Sequence, residues 1–220
     1  MLYSTEHQQA LAGWLKANNE KAFNNSLKLQ KFLFFYEAFC ETFYGDGDFN
    51  GLRGYEKGPV FSAVYGDFTY DYEEFSDKIT IVFNEGYSIK EDIAKKASFI
   101  VSSLTNDELS NITHFYDIWK KQESAINAGV KNITLDKTDF TGADKKITSQ
   151  LVALYPDGIE DTYNIVNIKD LYFLIEKNNY KILSDQHKDA LEEIAETNNG
   201  YLHNPVYIEL VSDGGVIIDA

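Results

Sequence analysis

The chain has 220 residues, a formal net charge of −15 and 15% aromatic residues, nearly all Tyr and Phe. That length suffices for one well-buried core, or one core with a small appended unit, and so much aromatic surface argues against disorder. The charge argues against binding a nucleic acid backbone, which needs clustered Lys and Arg to release counterions; it favours solubility and a basic partner.

Ser4 or Thr5 can cap a first helix to about Ala17, with Leu11, Trp14 and Leu15 on one face. A second helix is predicted from Ser26 to Phe43. Its apolar residues, from Leu27 through Phe32–Tyr36 to Phe39, Cys40 and Phe43, cover almost the whole circumference. Such a helix, too short and too polar at its flanks to span a membrane, is the buried centre of a bundle. The Gly45–Asp48 run forces a turn, and Gly58-Pro59 predicts a helix start running to about Tyr70, since proline suits the first helical position. Lys78–Phe83 alternates with β-branched residues and predicts a short strand. Ser88–Glu91 and Thr105–Glu108 have capping-box spacing. They predict a helical hairpin whose second helix runs through Leu109, Ile112, Tyr116 and Trp119.

Beyond Gln122 the pattern is mixed. Helices are predicted over 143–154, Asp170–Asn178 and Ser184–Thr197, and strands over Tyr163–Ile168, Pro205–Val211 and Val216–Ile218, the last two joined by Ser-Asp-Gly-Gly. The expected fold is mainly α (α+β): a helical bundle around a buried central helix, with a small antiparallel β element, mostly C-terminal. The expected domains are a helical unit over 1–125 and an α+β extension over 126–220 packed on it.

Chemistry-bearing patterns are weak. Cys40 is the single cysteine, which leaves no disulfide framework and no Cys-based metal site. Asp46-Gly-Asp48-Phe-Asn50-Gly51 opens like a calcium loop, but its twelfth position is Lys57, which offers no oxygen. The four histidines, His7, His114, His187 and His203, show no zinc spacing. His114 and Asp117 stand three residues apart, as a general base and its orienter could, although a packing role fits a histidine among aromatics better. Gly51–Gly54 lacks the ending of a phosphate loop. Lys28, Gln30 and Lys31 are polar groups on an otherwise apolar helix, so they should be hydrogen-bonded or face a cleft. The first seven residues carry no basic region followed by an apolar run, and no stretch approaches 18 apolar residues, so a cytoplasmic protein without membrane contact is expected.

Three segments resemble one family. Leu27-Lys-Leu-Gln-Lys-Phe-Leu-Phe-Phe-Tyr36 is similar to the KLQKLLYY helix of the Panacea domain, found in SocA-like antitoxins and phage-associated GepA-like proteins. Tyr55-Glu-Lys-Gly-Pro-Val60, with Tyr65 following, resembles its W-x-x-GPV segment, Tyr55 standing for tryptophan. Glu108–His114 through Trp119 resembles its third segment, with Ile118 in place of proline. The resemblance covers about residues 10–125. It implies a mostly helical, non-enzymatic antitoxin that needs no cofactor or metal and neutralises a cognate toxin, encoded by the adjacent gene, through direct protein contact. Delivery of the toxin to a protease is a variant of that role, and an acidic decoy of nucleic acid that counters host defence is the alternative function. The expected partner surface comprises Lys28, Gln30, Lys31, Arg53, Tyr55, Gly58, Pro59, Tyr65, Thr113, His114 and Trp119.

Overall fold

Thr5 starts the first helix: its hydroxyl accepts from the Gln8 N–H while the Gln8 side chain accepts from the Thr5 N–H, a complete capping box. The computed structural model describes residues 1–219; Ala220, the end of the expected extension, lies outside the described residues. Helix α1 (Glu6–Asn18) leads through short α2 (Glu20–Phe23) to α3 (Ser26–Phe43), capped by the Asn25 side chain. In α3 every residue from Lys28 to Cys40 is buried, as its all-round apolar pattern requires. Trp14 of α1 stacks on Phe32, and Phe34 meets Tyr116 edge to face.

Strands β1 (Leu52–Tyr55) and β2 (Gly58–Phe61) form an antiparallel hairpin, so the helix expected at Gly58-Pro59 is corrected to a strand. The edge position permits the proline: the Ser62 N–H bonds back to Gly51 on the β1 side, the Phe61 N–H points away to Gln30, and Pro59 shares that outward side, where the ladder needs no donor. Helix α4 (Ser62–Tyr70) then begins without a side-chain cap. Helix α5 (Tyr72–Asn84) replaces the strand expected at Lys78–Phe83. Phe75, Ile79 and Val82 form a buried stripe at helical spacing, and packing against α1 overrides the β-branched run. The approach is close at Gly13, where an added Cβ would fall on the Ile79 carbonyl and 2.8 Å from Phe83 Cβ.

Helices α6 (Glu91–Ser102) and α7 (Asn106–His114) follow where the helical hairpin was expected. The second does not run on through Trp119. It stops at His114, and α8 (Asp117–Lys120) starts afresh, with the Asp144 carboxylate accepting the Asp117 and Ile118 N–H groups. After α9 (Glu123–Asn127), β3 (Ile133–Thr134) adds to the far side of β1, and α10 (Gly142–Ala153) opens on a capping box of Thr141 and Asp144 and packs on α3. Phe140 stacks on Phe49 and Tyr155 meets Phe99. The first compact unit therefore extends to Tyr155: it comprises Met1–Val101 and Asn106–Tyr155, so residues 126–155 belong with the helical unit rather than with the extension.

The second unit contains the chain from Pro156 onwards together with Ser102–Thr105. After α11 (Ile159–Thr162) come β4 (Tyr163–Ile168), β5 (Leu171–Glu176), α12 (Lys177–Tyr180), α13 (Asp185–Thr197), β6 (Val206–Leu210) and β7 (Val216–Asp219). The sheet order is β4-β5-β6-β7; β5 and β6 run parallel across the helical connection and the other pairs are antiparallel. The helix expected over Asp170–Asn178 is thus a strand up to Glu176. Leu171, Phe173 and Ile175 point to one face and join Leu191, Val206, Ile208 and Leu210 in a small core. Ser184 caps α13 through His187, whose Nε2 lies 2.8 Å from the Val211 carbonyl. The fold is mixed α+β and mainly helical, at 56% helix. No described helix is long and apolar enough to cross a membrane.

Candidate functional site

The site grows from two adjacent polar residues on the buried helix. Lys31, 1% exposed, donates from Nζ to the Lys57 carbonyl at 2.6 Å and to Thr113 Oγ1 at 2.9 Å. One ammonium thereby ties α3 to the turn of the β1–β2 hairpin and to α7. Burial lowers its pKa from 10.5 to about 7. Gly58 is required at this junction. Its φ is +100°, and a Cβ there would overlap both Lys31 Nζ and Thr113 Oγ1. Gln30, 3% exposed, accepts the Phe61 N–H at 2.8 Å through Oε1, while its Nε2 has no hydrogen-bond partner.

Over these residues lies a cleft of about 630 Å³, lined by Asn24–Leu27, Gln30 and Lys31 of the α3 start, Tyr55–Lys57 and Val60 of the hairpin, Tyr65 of α4 and Asn106 of α7. Tyr55 and Tyr65 stand 6.0 Å apart, tilted by 53°. Behind Tyr55, Trp119 Nε1 donates to its carbonyl at 2.9 Å, and the His114 ring stacks on Trp119 at 3.9 Å. Burial and the Lys31 ammonium lower the His114 pKa, against a pull from the Glu56 carbonyl.

Of the eleven residues singled out in the sequence, Gln30, Lys31, Tyr55 and Tyr65 line this cleft. Gly58 and Thr113 close on Lys31, Pro59 follows in β2, and Trp119 with His114 supports Tyr55. Two stand apart from this group. Arg53 hydrogen-bonds Thr134 on β3, and Lys28, three residues before Lys31, has its pKa lowered to about 8 by burial and by Lys21. Sequence reasoning missed Asn24, Asn25, Leu27 and Asn106 as lining. Asn25 is recognisable as a helix cap, but its side-chain bond to Asn106 is a long-range contact that leaves no local signal.

His114 and Asp117 do not form the pair their spacing suggested. The helix breaks between them, and the Asp117 carboxylate accepts from Thr141 instead. The calcium-like loop spends its carboxylates elsewhere: Asp46 pairs with Lys90 and Asp48 accepts from the Asn50 N–H. Among the described residues no group of three or more His, Cys, Asp or Glu could hold a metal. A second, polar cleft in the same unit, about 440 Å³, contains His7, Glu37 and Cys40. His7 Nε2 lies 2.7 Å from Glu37 Oε1, and the other Glu37 oxygen accepts the Asp48 N–H. Burial pulls the His7 pKa down, yet the Glu37 hydrogen bond and charge outweigh it, and the pKa is raised. Burial pushes the Cys40 thiol up to about 12, so it is not an activated nucleophile. No protein-family model, curated protein or solved structure matches the chain.

Proposed function

We propose that this protein is the antitoxin of a bacterial or phage toxin–antitoxin module, acting in the cytoplasm by binding a cognate toxin directly and without catalysis of its own. The observation that supports the reading is the convergence of the three segments resembling the Panacea domain. Residues 27–36, 55–65 and 108–119 meet through the Lys31 bonds to Lys57 and Thr113 and through the Trp119 bond to Tyr55. The shared residues thus maintain one structural junction beside an open cleft, as a scaffold for partner binding would. Delivery of the captured toxin to a protease is a variant of the same role.

Co-expression with the adjacent open reading frame tests the proposal. The neighbouring product is expected to arrest growth alone and to be harmless when this protein is present. A neighbour that is harmless alone, or that stays lethal in the presence of this protein, overturns it.

A further inference from the structure

Two residues that line the cleft over α3 carry buried donors. Lys31 has no carboxylate partner among the described residues; its two bonds go to neutral oxygens, and burial is the one cause acting on its pKa. Buried ammonium groups are ordinarily paired with an anion, because a lone charge in a low-dielectric site is strongly disfavoured. Next to it in sequence, Gln30 Nε2 donates to nothing although it is buried. Turning the amide round would not cure this, because the Phe61 N–H needs the oxygen where it is. Both residues line the same cleft, whose walls are Leu27, Val60, Tyr55 and Tyr65. Its volume of about 630 Å³ lies in the range of small-ligand sites. At the rim, Glu56 and Lys57 offset each other in charge.

We propose that this cleft binds a carboxylate carried on an aromatic or aliphatic body. The carboxylate accepts from Gln30 Nε2 and the Lys31 ammonium, and the body lies between the two tyrosines and the aliphatic wall. A two-oxygen acceptor gives each donor one oxygen, satisfies the orphaned amide and supplies the missing counter-ion. Two sources share this chemistry: a free small carboxylic acid, and the carboxyl terminus of a protein chain ending in an apolar residue. The inference stands apart from the antitoxin proposal, and its test needs no toxin.

The experiment is an NMR titration of the full ¹⁵N-labelled chain, followed at the Gln30 side-chain amide and the Trp119 indole N–H. The probes are phenylacetate, N-acetyl-phenylalanine and N-acetyl-leucine, each beside its neutral amide, and pentapeptides ending in Phe or Leu with free or amidated carboxyl termini. At least one acid is expected to shift both resonances saturably, with its amide at least tenfold weaker. Tyr65→Glu, at a position 36% exposed, should abolish the shift while the remaining spectrum is retained. A free-acid peptide binding tenfold more tightly than the single residue identifies a protein terminus as the source; equal affinity identifies a small acid. The proposal is overturned if no acid shifts these resonances, if acid and amide act alike, or if Tyr65→Glu binds as the unaltered chain does.

Discussion

Replacing Gly58 with Ala should be among the most damaging single-methyl additions in the first unit. The new Cβ enters the space occupied by Lys31 Nζ and Thr113 Oγ1, and the residue must also keep a φ of +100°. A left-handed backbone costs a non-glycine residue about 1–2 kcal/mol. At pH 6, below its folded pKa of about 7, Lys31 is an ammonium, and displacing it weakens two hydrogen bonds of a charged donor, each contributing about 1.5–3 kcal/mol. If half of that is lost as the side chain shifts, the total is roughly 2.5–5 kcal/mol, at the severe end for a point substitution. Both tryptophans, Trp14 and Trp119, lie in the first unit, so urea unfolding followed by tryptophan fluorescence reports that unit alone. The double variant with Lys31→Met should be less than additive by more than about 1 kcal/mol, because the ammonium that clashes is gone. A Gly58→Ala cost below about 1 kcal/mol would refute the argument that this junction is sterically closed.

Three further outcomes are expected. Lys31 titrates near 7 in the folded chain and near 10.5 unfolded, so between those values the unfolded state binds more protons and stability should rise with pH; below about 7 the burial cost is present in full. Lys31→Met should flatten that slope in urea titrations at pH 6, 8 and 9.5, and an unchanged slope would contradict it. The raised His7 pKa has the opposite consequence: its contribution is present in full below the unfolded value of about 6.5 and is lost as pH rises through the higher folded pKa. Histidine NMR titration should therefore find His7 above 6.5, with Glu37→Gln lowering it. Asp67 is buried and accepts from the Tyr3 N–H, the Ser4 N–H and the Ser4 hydroxyl, so Asp67→Ala should cost about 2–4 kcal/mol and release the amino-terminal amides to fast hydrogen exchange. Slow exchange at Tyr3 and Ser4 in that variant would contradict the role.

What could be read from the chain depended on whether a signal was local. Helix α3 matches its predicted span from Ser26 to Phe43, because burial on every side needs apolar residues on every side. Strands β4, β6 and β7 were legible from β-branched runs and the Ser-Asp-Gly-Gly turn. Asp170–Asn178 was misread because a continuous apolar run has no period; Leu171–Glu176 pairs along its whole length with neighbouring β4 and in part with β6, more than thirty residues away, which makes it a strand. Gly58-Pro59 was misread because the helix-start signal and the edge-strand proline look alike locally; the pairing of Gly58–Phe61 with Leu52–Tyr55 decides for the strand. In the candidate site the polar residues of α3 were legible as anomalies on an apolar helix. Their connection to Thr113 and Tyr55 was suggested by the family resemblance alone, since it spans contacts far apart in sequence.

Function by direct capture of a toxin can be measured by calorimetric titration of the purified product of the adjacent gene into this protein, with the toxin's activity followed on the same mixtures. Saturable binding is expected, with Kd at or below the micromolar range and loss of toxin activity in step with the fraction bound. Absence of binding while the toxin is active, or binding that leaves its activity intact, would contradict it.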